Sequence, residues 1–227
     1  MEKKESLKPK DQETKPGLGK KLGPKLEKFL TWLFGVIKFI LGIFLLPFVY
    51  SATKAFLGQF VLIDQPQQNY FWSGAVAFLI IYHLIWEPVK IYNFGHKILE
   101  WVFSFFAPLV KVAPYLLPIY TLTLAVIYLL IYKVVDSPKL IHYFMFAFGA
   151  SFVLHLVFSA KTIRGKKDDF LKSNYIFGYS LIYIIDIFMF VALLGLIFPA
   201  VSFLNFSTRF YDGASQIYGA VFTQLFL

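Results

Sequence analysis

The heptapeptide Phe94-Gly95-His96-Lys97-Ile98-Leu99-Glu100 holds the side chains of this chain best spaced for metal chemistry. In an H-E-x-x-H helix, two His one turn apart hold Zn²⁺ while the Glu beside the first activates water. Here the same register reads His96-Lys97-x-x-Glu100. His96 and Glu100 share a face of any helix formed there, and both are competent zinc ligands. His155 or Asp169 would supply a third ligand, with Asp168 next to it. Lys97 stands where the base would be, and an ammonium repels a nearby dication. The expectation is that these His hydrogen-bond to neighbouring helices; the alternative is a metal site drawn from His96, Glu100, His155 and Asp169, without water activation. No cofactor is expected, and zinc is the one these residues could take.

A second constellation lies inside the apolar runs, where ionisable side chains are costly and tend to mark function. Lys38 falls nine residues into the first run and Asp186 eleven into the last. At 1.5 Å per residue these positions are roughly 14 and 16 Å from the same boundary. They are therefore expected to pair near mid-depth, fixing helix packing or carrying a proton or ion. Of the remaining histidines, His83 ends the second run and is expected on the same face as His96 and His155. His142 is expected near the opposite face.

The elements that position these residues follow from composition. The 227 residues are 58% hydrophobic, 20% aromatic and 15% charged, and mean hydropathy is positive. Soluble domains carry about 25% charged residues, and a bilayer core demands helical runs of about 20 apolar residues. Continuous runs without period-two alternation exclude a transmembrane barrel. With no cysteine, neither a disulfide framework nor a thiolate metal site can form. The first apolar segment begins near Phe29 and is too long for a signal-peptide core, so no cleavable leader is expected.

Five spans are expected, at about 29–50, 70–86, 113–132, 140–160 and 175–200, with 98–110 and 203–227 interfacial or re-entrant. The tail 1–28 has nine Lys, the 87–112 connection three, and the 161–174 loop five basic residues. The other side has only Lys54, Lys133, Lys139 and Arg209. Positive charge stays cytoplasmic, which puts the N-terminus inside and the C-terminus outside. The Lys-, Glu-, Pro- and Gly-rich tail cannot bury a core. It is expected to be a disordered topology determinant that holds the chain near anionic lipid. Pro118 should kink the third span or delay its start, and Pro47 should end or bend the first. Gly149-Ala150-Ser151 offers a small surface for close helix approach.

The order of these segments resembles small bacterial membrane proteins of the M50, site-2-protease-like metallopeptidase class. Phe94-Gly95-His96 is similar to the start of their metal-binding helix. Ala113-Pro114-Tyr115 through Pro118-Ile119-Tyr120-Thr121 is similar to the segment that follows it. Phe152-Val153-Leu154-His155-Leu156, with Asp169 downstream, is similar to their later His and Asp elements. The resemblance covers about residues 90–200 and implies a related helical fold in a bacterial inner membrane. Lys97 and Glu100 depart from the family's catalytic Glu and second His. Asp212-Gly213 is the one Asp-Gly pair, and it falls in the expected outer tail.

Taken together, the sequence predicts an all-α polytopic membrane protein of three parts. These are a basic tail (1–28), a helical membrane domain (29–200) and an apolar C-terminal interfacial segment (201–227). The leading functional expectation is a non-catalytic, pseudoprotease-like scaffold that binds another transmembrane protein as its client. A divergent zinc-dependent intramembrane protease and a small transporter or channel component using Lys38 and Asp186 are the alternatives. The lipid bilayer is a partner in every case, and nucleic acid in none.

Overall fold

A computed structural model describes residues 24–106, 113–135, 137–165 and 175–226. Every regular element among them is helical. Asp168, Asp169 and the tail up to residue 23 lie outside the described residues. The chain divides after Phe34 into two compact units. In the first, the opening turns of α1 bring the Phe29 and Trp32 rings to 6.1 Å. The rest of α1 and every later helix belong to the second unit.

Helix α1 is Pro24–Phe60. Helix α2, Gln65–Ile80, runs on through a π-helical turn, Ile81–Ile85. Helix α3 is Val89–Val102, α4 is Ile119–Ile131, and α5 is Leu140–Gly165. Helices α6, Tyr175–Ile197, and α7, Phe203–Phe226, complete the series. Among the described residues, three helices are long and apolar enough to cross a membrane: Lys28–Phe60, Leu140–Arg164 and Tyr175–Ile197. A fourth candidate is the pair Gln65–Ile85 and Val89–Val102, bent by 119°.

The third expected span, 113–132, is broken. Residues 113–116 form one helical turn, and α4 starts only after Pro118, which cannot donate the hydrogen bond needed to continue a helix. Its thirteen residues reach about 20 Å. Pro47 does not end the first span, because α1 runs through it to Phe60. The extra turns are held by packing that hydropathy does not report. Ser51 Oγ donates to the Phe210 carbonyl at 2.6 Å, and Thr53 Oγ1 meets the Tyr183 hydroxyl at 2.8 Å. Gln59 Oε1 accepts from the Ser202 N–H at 2.9 Å.

Cross-contacts fix the helix directions. Tyr70 stacks on His142, Tyr82 lies edge-on to Phe158, and Lys161 pairs with Glu87, so α2 and α5 run parallel. Thr121 meets Ser151 and Tyr128 meets Phe144, so α4 runs antiparallel to α5. Phe56 packs on Phe190 just as Thr53 meets Tyr183, which makes α1 and α6 parallel. Helix α7 returns antiparallel along α1, with Ser202 at Gln59, Phe210 at Ser51 and the Tyr218 hydroxyl on the Phe44 carbonyl. The C-terminal segment is thus held by the bundle itself.

The α2–α5 contact is the most intimate of the fold. A Cβ on Gly74 would collide with the Phe146 carbonyl, and one on Gly149 with the Phe71 carbonyl and the Ala75 nitrogen. Small residues let backbones approach where lipid supplies no hydrophobic drive for helix association. Around this contact the core is aromatic. Phe152 stacks on Phe190 at 4.5 Å, Phe71 lies 5.4 Å from Phe190, and Phe60 lies 4.9 Å from Phe71.

Candidate functional site

Asp186 sits at the centre of α6, eleven residues from either end, and is fully buried. Its partner is His155 of α5, itself 4% exposed, whose Nε2 is 3.3 Å from Oδ2. That is ion-pair distance, yet neither carboxylate oxygen makes a well-aligned hydrogen bond. The same Nε2 lies 3.4 Å from Ser159 Oγ, one turn along α5, which reaches the Tyr115 carbonyl at 3.5 Å. With Ser159 donating to that carbonyl, a proton on His155 Nε2 serves Ser159 and Asp186 together. Both groups face one ring nitrogen. A nucleophile–base–carboxylate triad needs them on opposite nitrogens, so the arrangement does not activate Ser159.

The expected pairing of Lys38 with Asp186 is corrected here. Asp186 lies between Tyr183, which meets Thr53, and Phe190, which meets Phe56. Lys38 is fifteen residues short of Thr53, or about 22 Å along α1. Equal depth required the two runs to start level, at Phe29 and Tyr175, whereas the start of α6 lies beside Gly42, where an added Cβ would come within 2.9 Å of the Phe177 nitrogen. No ion pair joins Lys38 to Asp186 among the described residues.

A polar track extends from the buried pair toward the surface. The Tyr92 hydroxyl of α3 is buried near Ser159 and Thr162 but has no hydrogen-bond partner among the described residues. The His96 ring packs edge-on against Tyr115 at 5.0 Å and lies 5.8 Å from Tyr92. One turn on, His96 Nδ1 is 3.4 Å from Glu100 Oε1, and Glu100 is half exposed. Helix α3 can deliver these groups because Tyr92, Gly95 and Leu99 form its buried stripe. This places His96 at the edge of the stripe and Lys97 on the exposed side. The succession Glu100, His96, Tyr115 and Tyr92, Ser159, His155, Asp186 thus leads from the surface to the middle of the bundle.

The zinc-ligand candidates are therefore only partly gathered. His96 and Glu100 face each other as expected. His155 belongs to the Asp186 pair, with the Tyr115–Ser159 layer between it and His96. Asp169 is outside the described residues. Among the described residues no three His, Asp or Glu side chains are placed to hold one metal ion. His83 Nδ1 meets the Leu79 carbonyl at 2.9 Å, a contact within its own helical segment. The Ser159 and Tyr92 components carried no motif. Only the depth of Asp186 in an apolar run signalled that something had to meet it. No family model matches the chain, and no curated protein or solved structure matches it either.

Proposed function

We propose that this chain is a polytopic membrane protein that moves or senses protons through the His155–Asp186 pair, as a small transporter or channel component. The observation that carries this reading is the pair itself. It joins a fully buried carboxylate, neither oxygen in a well-aligned hydrogen bond, to an imidazole 3.3 Å away, midway along a helix long enough to span. Isolated charge is expensive in such a place. A carboxylate and an imidazole together can take up and release one proton without either leaving its helix. Ser159, Tyr115, Tyr92 and His96 lie between the pair and Glu100, and a proton passing that way would need water to bridge to the Tyr92 hydroxyl, which has no hydrogen-bond partner of its own among the described residues.

In this reading α1, α2, α4, α5 and α6 provide five crossings, α4 with help from the preceding turn. The N-terminus is cytoplasmic and the basic tail lies against anionic lipid. The Lys161–Glu87 contact supports that topology, since it joins two of the three basic connections at one end of the bundle. The test is proton flux into liposomes that enclose a pH-sensitive dye, driven by a potassium diffusion potential. Wild type should acidify the lumen, and Asp186→Asn should fall to the rate of empty vesicles. Equal rates for the two proteins would sink the proposal.

A metallopeptidase-like scaffold that holds another protein's transmembrane segment is the second reading. It is supported by α3, which sets His96 against Glu100 at the spacing of a metal-binding helix. Zinc binding by purified protein, lost in His96→Ala, together with a co-purifying membrane partner, would favour it.

A further inference from the structure

One stripe of α1, Ile40, Phe44, Pro47, Ser51, Lys54 and Gly58, repeats at alternating intervals of four and three residues and so forms a single helical face. Two openings against α7 lie on this stripe. Toward the start of α1 is an apolar groove of about 890 Å³ between Ile40–Phe48 and the Tyr211–Phe226 part of α7. Toward its end is a cleft of about 650 Å³ that contains Lys54, Arg209 and Asp212. The Ser51–Phe210 contact, with Gly213 against Ser51, separates them.

We propose that this face binds an anionic phospholipid, its phosphate between Lys54 and Arg209 and an acyl chain in the apolar groove. Charge complementarity argues for that occupant. The cleft holds two cations against one carboxylate. None of the three is in an ion pair among the described residues. Arg209 lies over Gly58, where an added Cβ would come within 2.9 Å of its Nη1, so the guanidinium is held near the α1 backbone. Lys54 is six residues from the end of α1, about 9 Å, a depth from which its ammonium reaches headgroups but not bulk water. Arginine and lysine together suit a phosphate, through a planar fork and a point charge. A soluble anion would satisfy the cations but leave the apolar groove empty, and a neutral lipid would fill the groove but leave the cations without a counter-charge.

The experiment is native mass spectrometry of the full chain in neutral detergent. It is titrated with phosphatidylglycerol, phosphatidylcholine or inorganic phosphate. Phosphatidylglycerol should bind at least tenfold more tightly than phosphatidylcholine, and the Lys54→Ala/Arg209→Ala double variant should lose that preference. Asp212→Asn, which removes the opposing charge, should tighten binding two- to threefold. This variant keeps the test alive should the double variant misfold. Gly219→Trp, at an open position of the groove wall, should weaken lipid binding and leave phosphate binding unchanged. Equal affinity for the two lipids, or no change in either charge variant, would overturn the proposal. Phosphate bound as tightly as lipid, with Gly219→Trp silent, would overturn it in favour of a free-anion site.

Discussion

Gly74 of α2 and Gly149 of α5 are reciprocal: each lies against a backbone carbonyl of the other's helix, Phe146 and Phe71. Neither carbonyl can yield without breaking its own helix. Gly149→Val should therefore cost more than the ~1–3 kcal/mol of ordinary overpacking. In a detergent thermal-shift assay it should melt well below wild type, whereas Gly219→Ala, where the space is open, should melt unchanged. A wild-type melting temperature for Gly149→Val would show that the two helices do not approach this closely.

The His155–Asp186 pair makes a prediction about signs. Removing one partner of a buried pair strands the other and costs about 3–5 kcal/mol, whereas replacing both with apolar side chains is often neutral or stabilising. His155→Ala should lower the melting temperature, and His155→Phe/Asp186→Leu should recover much of the loss while still lacking proton flux. A double variant less stable than His155→Ala would mean that the pair does not form.

Lys38 and Asp186, some 22 Å apart along the α1 axis direction, should be energetically independent. Sites more than about 7–10 Å apart add within ~0.3–0.5 kcal/mol. A double-mutant cycle with Lys38→Leu and Asp186→Asn should show additivity within that margin, read by chemical denaturation. A coupling above 1 kcal/mol would restore the pairing that the sequence alone suggests.

Gln59 holds the entry to α7 by accepting from the Ser202 N–H. Loss of one buried hydrogen-bond acceptor leaves its donor unsatisfied, at about 1–3 kcal/mol. Because the chain has no cysteine, Ala214→Cys, at a buried position of α7, gives a clean accessibility reporter. Adding Gln59→Leu should raise its maleimide labelling rate severalfold, and an unchanged rate would mean that α7 is held without this contact.

The all-helical class and most helix positions were legible because a bilayer-length apolar run has few other outcomes. Gly149-Ala150-Ser151 also announced a close contact, since small residues have little else to offer a helix face. The helix ends were harder to read. Hydropathy placed the end of α1 near Tyr50, because Ser51, Thr53, Lys54 and Gln59 look like loop residues until α6 and α7 supply their partners. The Lys38–Asp186 pairing failed at the other end of α1: Gly42, thirteen residues past Phe29, is what lies beside the start of α6. Depth gives height along a bundle but not direction around a helix axis, so His155 could not be chosen over other candidates from sequence. Spacing did place His96 and Glu100 correctly, because an i,i+4 relation is local and needs no tertiary information.

Consider finally how α2 and α5 are fastened. Tyr70 stacks on His142 at one end, Glu87 meets Lys161 at the other, and the two glycines lock the middle. Two rods joined at three points form a beam that neither slides nor splays. Helix α3 leaves that beam through the extended Trp86 and the Glu87-Pro88 corner, at 119° to α2. A swing of α3 about that corner is a motion that would leave the beam intact. His96 and Tyr92 ride on the moving arm, while His155 stays on the frame.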